Sequence, residues 1–419
     1  NFEWAGRSVG GEWKGRISGL GVRLLGWSAS ADASSGWTGR QGRVALSSFR
    51  RDLGILGQIE LRAPEERTLL GIRVERSSTS YRIRSTAALS ELSARTPLAT
   101  AFAQHARSLA PEVELTLGGS LTASDEGWRL GPHGRVRWKP ANRFTLTGSY
   151  TRVHQFAQSL RNPESVVGNI FPVDLYLGSG SPGVPAARSD LFVGAAEYRA
   201  WNGVRLEAEV YRRQTNGLVL VAPQEGGPFS TTSFSTGSGS TTGLALDASM
   251  SRARFGIVAS YGWQRLVLTY RDAGYVPDYG TSHLLHGGVI LFPTTTLSFK
   301  LGATGALGRR TTTATGGLEW ESCNLLDQGC EFSGSPDYSG QPLGAAVLPH
   351  YLRVDLGVRK HWHFEFGGRD AMVALFGTIT NLLGRTNVLT YVRDPATGKA
   401  LPIKMRPLAP LLVGLDWRF

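Results

Sequence analysis

The chain has 419 residues, 53 of them Gly and 3 of them Met, with 41% hydrophobic and 19% charged residues. No run approaches the roughly 20 consecutive apolar residues of a membrane helix, which excludes α-helical spans; the mean hydropathy of −0.13 leaves a transmembrane barrel open, because its lipid-facing and lumen-facing residues alternate and average out. The net charge is +12, from 45 Lys+Arg against 33 Asp+Glu, but the basic residues are scattered along the chain instead of forming a patch, which argues against nucleic acid as a partner.

The chain opens on "NFEWAGRSVG", without the charged and apolar regions of a signal peptide, so it is expected to start after processing or inside a longer protein. Between residues 10 and 100 the pattern is ambiguous, and "RVERSSTSYRIRS" (73–85) reads as one long strand or as a hairpin. From "PEVELTLGGSL" (111–121) onward, period-two alternation is clear. There Val113, Leu115, Leu117 and Leu121 take one face, and Glu112, Glu114, Thr116 and Ser120 take the other. "VRLEAEVYRR" (204–213) sets Val204, Leu206, Ala208 and Val210 against Arg205, Glu207 and Glu209. "TLSFKLGATGAL" (296–307) sets Leu297, Phe299, Leu301, Ala303 and Leu307 against Ser298, Lys300 and Thr304.

The clearest strand is "YLRVDLGVRKHWHFEF" (351–366). Leu352, Val354, Leu356, Val358, Trp362 and Phe364 face one way, and Arg353, Asp355, Arg359, His361, His363 and Glu365 face the other. It spans about fifteen residues, against five or six for an ordinary soluble strand, and its second face is charged. Such a strand suits a wide barrel with lipid outside and water inside. Lys360 interrupts the apolar face beside Trp362, where a long side chain can snorkel to the headgroups. The closing "LLVGLDWRF" (411–419) repeats the split, with Leu411, Val413, Leu415, Trp417 and Phe419 on the apolar side. In a closed barrel this strand would be paired on both sides and would have no free edge.

Connections alternate in length. The short ones are "WNG" (201–203), "SRA" (251–253), "PTTT" (293–296) and "FGGRD" (366–370). The long ones cover roughly 153–189, 222–240, 267–281, 309–349 and 384–405. One short and one long connection per hairpin is the outer-membrane pattern, with short turns periplasmic and long loops extracellular. Trp138, Phe144, Tyr150, Tyr198, Trp201, Phe292, Tyr351, Trp362 and Trp417 gather near strand ends, as interfacial girdles do. The expected fold is all-β: a single transmembrane antiparallel outer-membrane barrel over 1–419 with about 18–22 strands, lying in the bilayer.

The chemistry is sparse. No GxSxG, HExxH, Walker loop or paired CxxC occurs, so neither an enzyme nor a cofactor is expected. His361 and His363 share a face with Glu365, but a polar lumen wall explains them as well as a metal does, and no metal site is assigned. The lumen candidates are Arg205, Glu207, Glu209, Arg353, Asp355, Arg359 and His361, which form either a self-satisfied salt-bridge wall or a contact surface for a solute. Cys323 and Cys330 in "CNLLDQGC" lack zinc-type spacing and fall in an outer loop, where a local disulfide is expected. Unreduced protein should therefore show no mass gain on alkylation; two alkylated cysteines would refute the bond.

The later strands resemble the barrel of the TonB-dependent outer-membrane receptors. "TITNLLGRTNVLTY" (378–391) is similar to that family's penultimate strand, with its Asn-Leu pair. "LPHYLRVDLGVRK" (348–360) is similar to the strand before it, with a Tyr-x-Arg-x-Asp core, and "LLVGLDWRF" to the closing strand with its terminal aromatic. "RVRWKPANRFTLTGSYTRVHQ" (135–155) resembles a strand pair leading to the outer rim, which makes His154 and Gln155 rim candidates; "ARSDLFVGAAEYRAWNGVRLEAEVYRRQTNGLV" (187–219) and "ATAFAQHARSLAPEVELTLGGSL" (99–121) resemble neighbouring hairpins. The resemblance covers about 97–419 and implies energised uptake of a scarce ligand such as a metal chelate, corrinoid, glycan or peptide. It also implies a TonB-type energy-coupling protein as partner, through an N-terminal segment not visible here. The family's N-terminal plug is likewise not visible, so it is expected upstream unless the barrel is plugless. A passive porin and a surface scaffold or adhesin are the alternatives, with a surface lipoprotein or other outer-membrane subunit as a further candidate partner.

Overall fold

The computed structural model describes residues 2–39, 42–84, 89–159, 176–181, 183–200, 203–221, 234–270, 273–277, 280–313, 343–366, 368–393, 397–405 and 410–418. Their strands are β1 (Phe2–Ile17), β2 (Leu20–Gly39), β3 (Gly42–Ala63), β4 (Glu66–Arg84), β5 (Leu89–Ala110), β6 (Val113–Ser124), β7 (Gly127–Ala141), β8 (Phe144–Gln155), β9 (Ala157–Ser159), β10 (Tyr176–Gly178), β11 (Ala187–Arg199) and β12 (Val204–Val221). The remainder are β13 (Phe234–Ser251), β14 (Phe255–Tyr270), β15 (Ala273–Tyr275), β16 (His283–Thr294), β17 (Leu297–Leu307), β18 (Arg310–Thr311), β19 (Ala346–Val347), β20 (Tyr351–Phe366), β21 (Arg369–Ile379), β22 (Asn387–Arg393), β23 (Ala400–Met405) and β24 (Leu411–Arg418).

One antiparallel sheet holds 18 of these strands. All but the three-residue β15 follow one another as a meander, in the order β1 to β8, β11 to β14, β16, β17, β20, β21, β24. The pairs β9–β10, β18–β19 and β22–β23 are separate two-stranded ribbons within the outer connections. "RVERSSTSYRIR" (73–84) belongs to a single strand, since β4 pairs with β3 and β5 along its whole length.

The expected short turns all fall at one end of the sheet. At the same end, the turn between β1 and β2, which sequence reading did not single out, places Ser18 at φ 50° and Gly19 at φ 83°, the left-handed pair that a two-residue hairpin turn requires. At the opposite end the connections are long from β8 onward. The N-terminal part departs from the expected rhythm. There β2, β3, β4 and β5 run for 20, 22, 19 and 22 residues, about twice what crosses a bilayer, so the strands themselves supply the height that loops supply elsewhere.

Cross-strand partners project to the same side of a sheet, so the face of β20 carries round the whole wall by register. Val358 pairs with Phe299 and Leu356 with Leu301, and the outward set continues through Val210, Ile72 and Ile55, which are 56%, 62% and 64% exposed. In water this belt would far exceed the apolar patches of soluble monomers; in a bilayer it meets lipid. Trp138, Trp362 and Trp417 lie on this face towards the short-turn end, whereas Tyr351 falls in the inward register beside Arg353. Lys360 behaves as a snorkelling residue, with its Nζ donating to Thr296 Oγ1 on the adjacent short turn at 2.6 Å.

One expectation is corrected. The closing strand was expected to be paired on both sides, but among the described residues β24 pairs only with β21 and β1 only with β2. The sheet is therefore an open arc with two edges. Alternation along one strand fixes its faces but says nothing of whether the first and last strands meet. Cys323, Cys330, Trp201 and Phe419 lie outside the described residues.

Candidate functional site

The inward face of the arc is polar, and two cavities mark it. Arg205, Glu207 and Glu209 of β12 project into a cavity of about 960 Å³, facing Arg135 and Arg137 of β7, Glu114 of β6 and Glu197 of β11. Arg205 bridges Glu207 at 2.8 Å and Glu197 at 3.3 Å, and Arg199 pairs with the same Glu197. A second cavity of about 460 Å³ shares Arg205 and Glu207 and extends to Asp355 of β20. Its floor is one register row. Glu207 pairs with Asp247, Asp247 with Ser260, Ser260 with His286, and His286 with Thr304. Thr304 in turn pairs with Arg353. Thr304 Oγ1 and His286 Nδ1 are 3.4 Å apart.

Sequence reading placed Arg205, Glu207, Thr304 and Asp355 on this face and missed Asp247, Ser260 and His286. Asp247 carried a usable signal, as the single charge in the alternating "LALDASM". The others became visible only when register aligned their strands. His283, which pairs with Trp263, faces outward, where its Nδ1 sits 2.8 Å from the Tyr261 hydroxyl.

The remaining lumen candidates are tied up structurally. Arg353 donates to Asp355 at 2.8 Å, and the same carboxylate accepts the backbone N–H of Asn381 at 2.8 Å. Asn381 has φ 53°, a left-handed conformation that Asn tolerates better than most residues. The Tyr-x-Arg-x-Asp core and the Asn-Leu pair thus meet at one carboxylate, which fixes the bend after β21. Arg359 bridges Asp416 of β24 at 2.9 Å. The His361 and His363 rings lie edge to face with centroids 5.1 Å apart, and no cluster of metal-ligating side chains occurs among the described residues.

At the outer end the connections fold onto the wall. The β9–β10 ribbon lies against β4 and β5, where the Gly178 N–H donates to Thr79 Oγ1 at 3.2 Å and Thr96 Oγ1 donates to Ser179 O at 2.8 Å. A Cβ on Gly178 would sit 3.0–3.1 Å from Ala94, Thr79 and Thr96, so only glycine lets the ribbon lie this close. Gln158 anchors the other side. Its Nε2 donates to Pro185 O at 2.8 Å and Gly217 O at 2.9 Å, and its Oε1 accepts the Val219 N–H at 2.8 Å. Of the rim candidates, Gln155 donates to Ala157 O at 2.8 Å, while His154 pairs across the ladder with Arg188 on the outward face. A second group joins β18 to β22, through Thr311 Oγ1 and Thr390 Oγ1 at 3.0 Å and Arg309 donating to Val388 O at 2.9 Å.

An antiparallel meander with a lipid-facing apolar belt, a charged inner wall, short turns at one end and folded connections at the other defines an integral outer-membrane β-barrel protein. The family model for the TonB-dependent receptor-like β-barrel matches residues 3–382, and the chain belongs to that family. Solved structures agree on the fold. The ferric citrate transporter FecA in its unliganded form superposes with a TM-score of 0.64 at 12% identity, covering 99% of this chain and 61% of that one. The ferric yersiniabactin uptake receptor FyuA from Yersinia pestis gives 0.64 at 10%, with 99% and 61% covered. A mutant of the ferric enterobactin receptor PfeA from Pseudomonas aeruginosa gives 0.62 at 13%, with 92% and 57% covered. This chain therefore spans less than two thirds of the length of those receptors. No curated protein sequence matches it significantly.

Proposed function

We propose that this chain is the barrel wall of an energised outer-membrane importer whose plug lies in a preceding segment and engages a TonB-type partner. The observation that carries the reading is the inner wall around Arg205 and Glu207, where two adjoining cavities are lined by charges from β6, β7, β11 and β12 and by the polar row reaching β20. Family membership supports it. The FecA, FyuA and PfeA structures are named for ferric citrate, ferric yersiniabactin and ferric enterobactin, and we take a ferric chelate as the leading ligand class over a corrinoid, glycan or peptide. The excess of basic residues favours an anionic complex, because fixed positive charge raises the local anion concentration. The free edges of β1 and β24 belong in this proposal. Unpaired backbone groups in hydrocarbon cost several kcal/mol each, and further strands of a complete barrel would satisfy them.

The test is conductance in planar bilayers, comparing the full-length protein with a form that lacks only the plug. An importer should be closed at full length and give large, weakly anion-preferring openings when the plug is removed. Equal steady conductance in both forms would identify a porin instead. Silence in both, with a partner captured by the outer loops, would identify a scaffold.

A further inference from the structure

The outward face is apolar along most of its height, but on the strands from β8 to β14 it changes chemistry abruptly. On β8 the outward residues run Phe144, Leu146, Gly148, Tyr150, and the next is Arg152. On β12 Val210 is followed on that face by Arg212, and on β14 Trp263 is followed by Arg265. The ladder rows join these positions. Tyr150 pairs with Phe192, Phe192 with Arg212, Arg212 with Thr242, and Thr242 with Arg265. Arg152, Arg188 and Arg265 lie in the extracellular halves of their strands and Arg212 at the middle of the longer β12, level with the Tyr150–Phe192 ring contact at 4.7 Å; beyond Arg212 the outward residues of β12 are Gln214 and Asn216. The neighbouring strands β6 and β7 stay apolar on this face, with Leu121 paired to Leu130.

One acid stands among these cations. Asp190 is 8% exposed and accepts from the Tyr150 hydroxyl at 2.7 Å and Arg152 Nε at 2.6 Å, with Arg188 Nε at 3.3 Å. It orients two guanidinium groups and neutralises only one charge. Arg212 and Arg265 are exposed and have no ion-pair partner among the described residues. The cluster is therefore net positive, held in place by a buried carboxylate, and set where acyl chains give way to headgroups.

We propose that this outward cluster of Arg152, Arg188, Arg212 and Arg265 is a binding site for the phosphate groups of an outer-leaflet lipid. Guanidinium matches phosphate bidentately, and the apolar and aromatic surface just below offers the acyl chains a flat bed. The occupant is a lipid and not a free anion, because the cations stand directly on a lipid-facing belt and no concave cage surrounds them. The site is independent of what crosses the lumen, so failure of the importer reading would leave it standing.

The experiment is intact-complex mass spectrometry of the folded chain in detergent, titrated with diphosphorylated lipid A, with dephosphorylated lipid A, and with inorganic phosphate as a competitor. Diphosphorylated lipid A should bind, its dephosphorylated form should not, and inorganic phosphate at equal phosphate concentration should not displace it. Each arginine beside a charged lipid surface contributes enough that its removal weakens binding roughly fivefold, on the order of a hundredfold for Arg152→Gln, Arg212→Gln and Arg265→Gln together. Lys300→Gln, which removes one positive charge from the inward face, should bind like the unaltered chain. Should the triple variant not fold, Arg212→Gln alone keeps the roughly fivefold expectation. Unchanged affinity in the folded variants, equal binding of the dephosphorylated lipid, or ready displacement by inorganic phosphate would each overturn the proposal.

Discussion

Replacing Val358 by Arg should destabilise the folded protein by about 2–4 kcal/mol, whereas Arg at the adjacent Gly357 should cost far less. The two positions are consecutive within one strand, so loop effects and distance from the ends are matched. Replacing Gly357 also removes a weak strand former, so the face is what makes the change at Val358 the costlier one. Val358 is 42% exposed on the outward side, about halfway between Tyr351 and Phe364 on β20, where a guanidinium would lie near the bilayer centre. Gly357 looks inward, and a Cβ there meets nothing closer than Thr378 Oγ1 at 3.6 Å, so a long side chain has room to reach water. Reversible unfolding by denaturant in lipid vesicles measures both. Equal losses at the two positions would mean that the assigned faces are wrong, and with them the lipid-facing belt.

The second large effect is expected at Gln158. Its three hydrogen bonds end on Pro185, Gly217 and Val219; Gly217 is the unpaired residue of a register shift in β12 between Asn216 and Leu218, and Val219 follows it. Gly217 has φ 75°, so the bulge is a left-handed kink whose polar groups point away from the ladder, and the Gln158 amide supplies what the ladder no longer does. Gln158→Ala leaves one N–H and two carbonyls without that partner, at about 1–3 kcal/mol for each group that stays buried and dry. The loss should be local. Hydrogen exchange at Val219 and proteolytic cutting in the connection between β8 and β11 should both accelerate by orders of magnitude, with global unfolding almost unchanged. Protection at Val219 equal to that of the unaltered chain would show that the amide is incidental.

The parts of this architecture that were legible in the sequence are those where one strand carries its own signal. In β20 the split between Val354, Leu356 and Val358 on one side and Arg353, Asp355 and Arg359 on the other is set by two-residue periodicity and needs no partner. The short turns near 201–203, 251–253, 293–296 and 366–370 were legible because Gly, Pro and polar residues interrupt that periodicity. In β2, "SASADASSG" (28–36) alternates only Ala with Ser and Asp, a contrast too weak to announce that the strand continues to Gly39. Gln158 was invisible because its partners lie 27, 59 and 61 residues away. The row from Glu207 to Thr304 needs the registers of five strands at once. Arg353 and Asp355 were chosen for their charge, and the structure engages them largely with each other and with Asn381.

The unequal strand lengths make the rim lopsided. At about 3.3 Å per residue and a tilt of about 40°, the 22 residues of β3 climb on the order of 55 Å, against roughly 30 Å for the 12 residues of β6 by the same arithmetic. The strands of the β3 flank therefore stand like a screen above the membrane surface, while the β6–β7 hairpin beside it barely clears the headgroups. A bulky visitor diffusing along the cell surface meets a wall at the one and a doorstep at the other, before any side chain of the interior is touched.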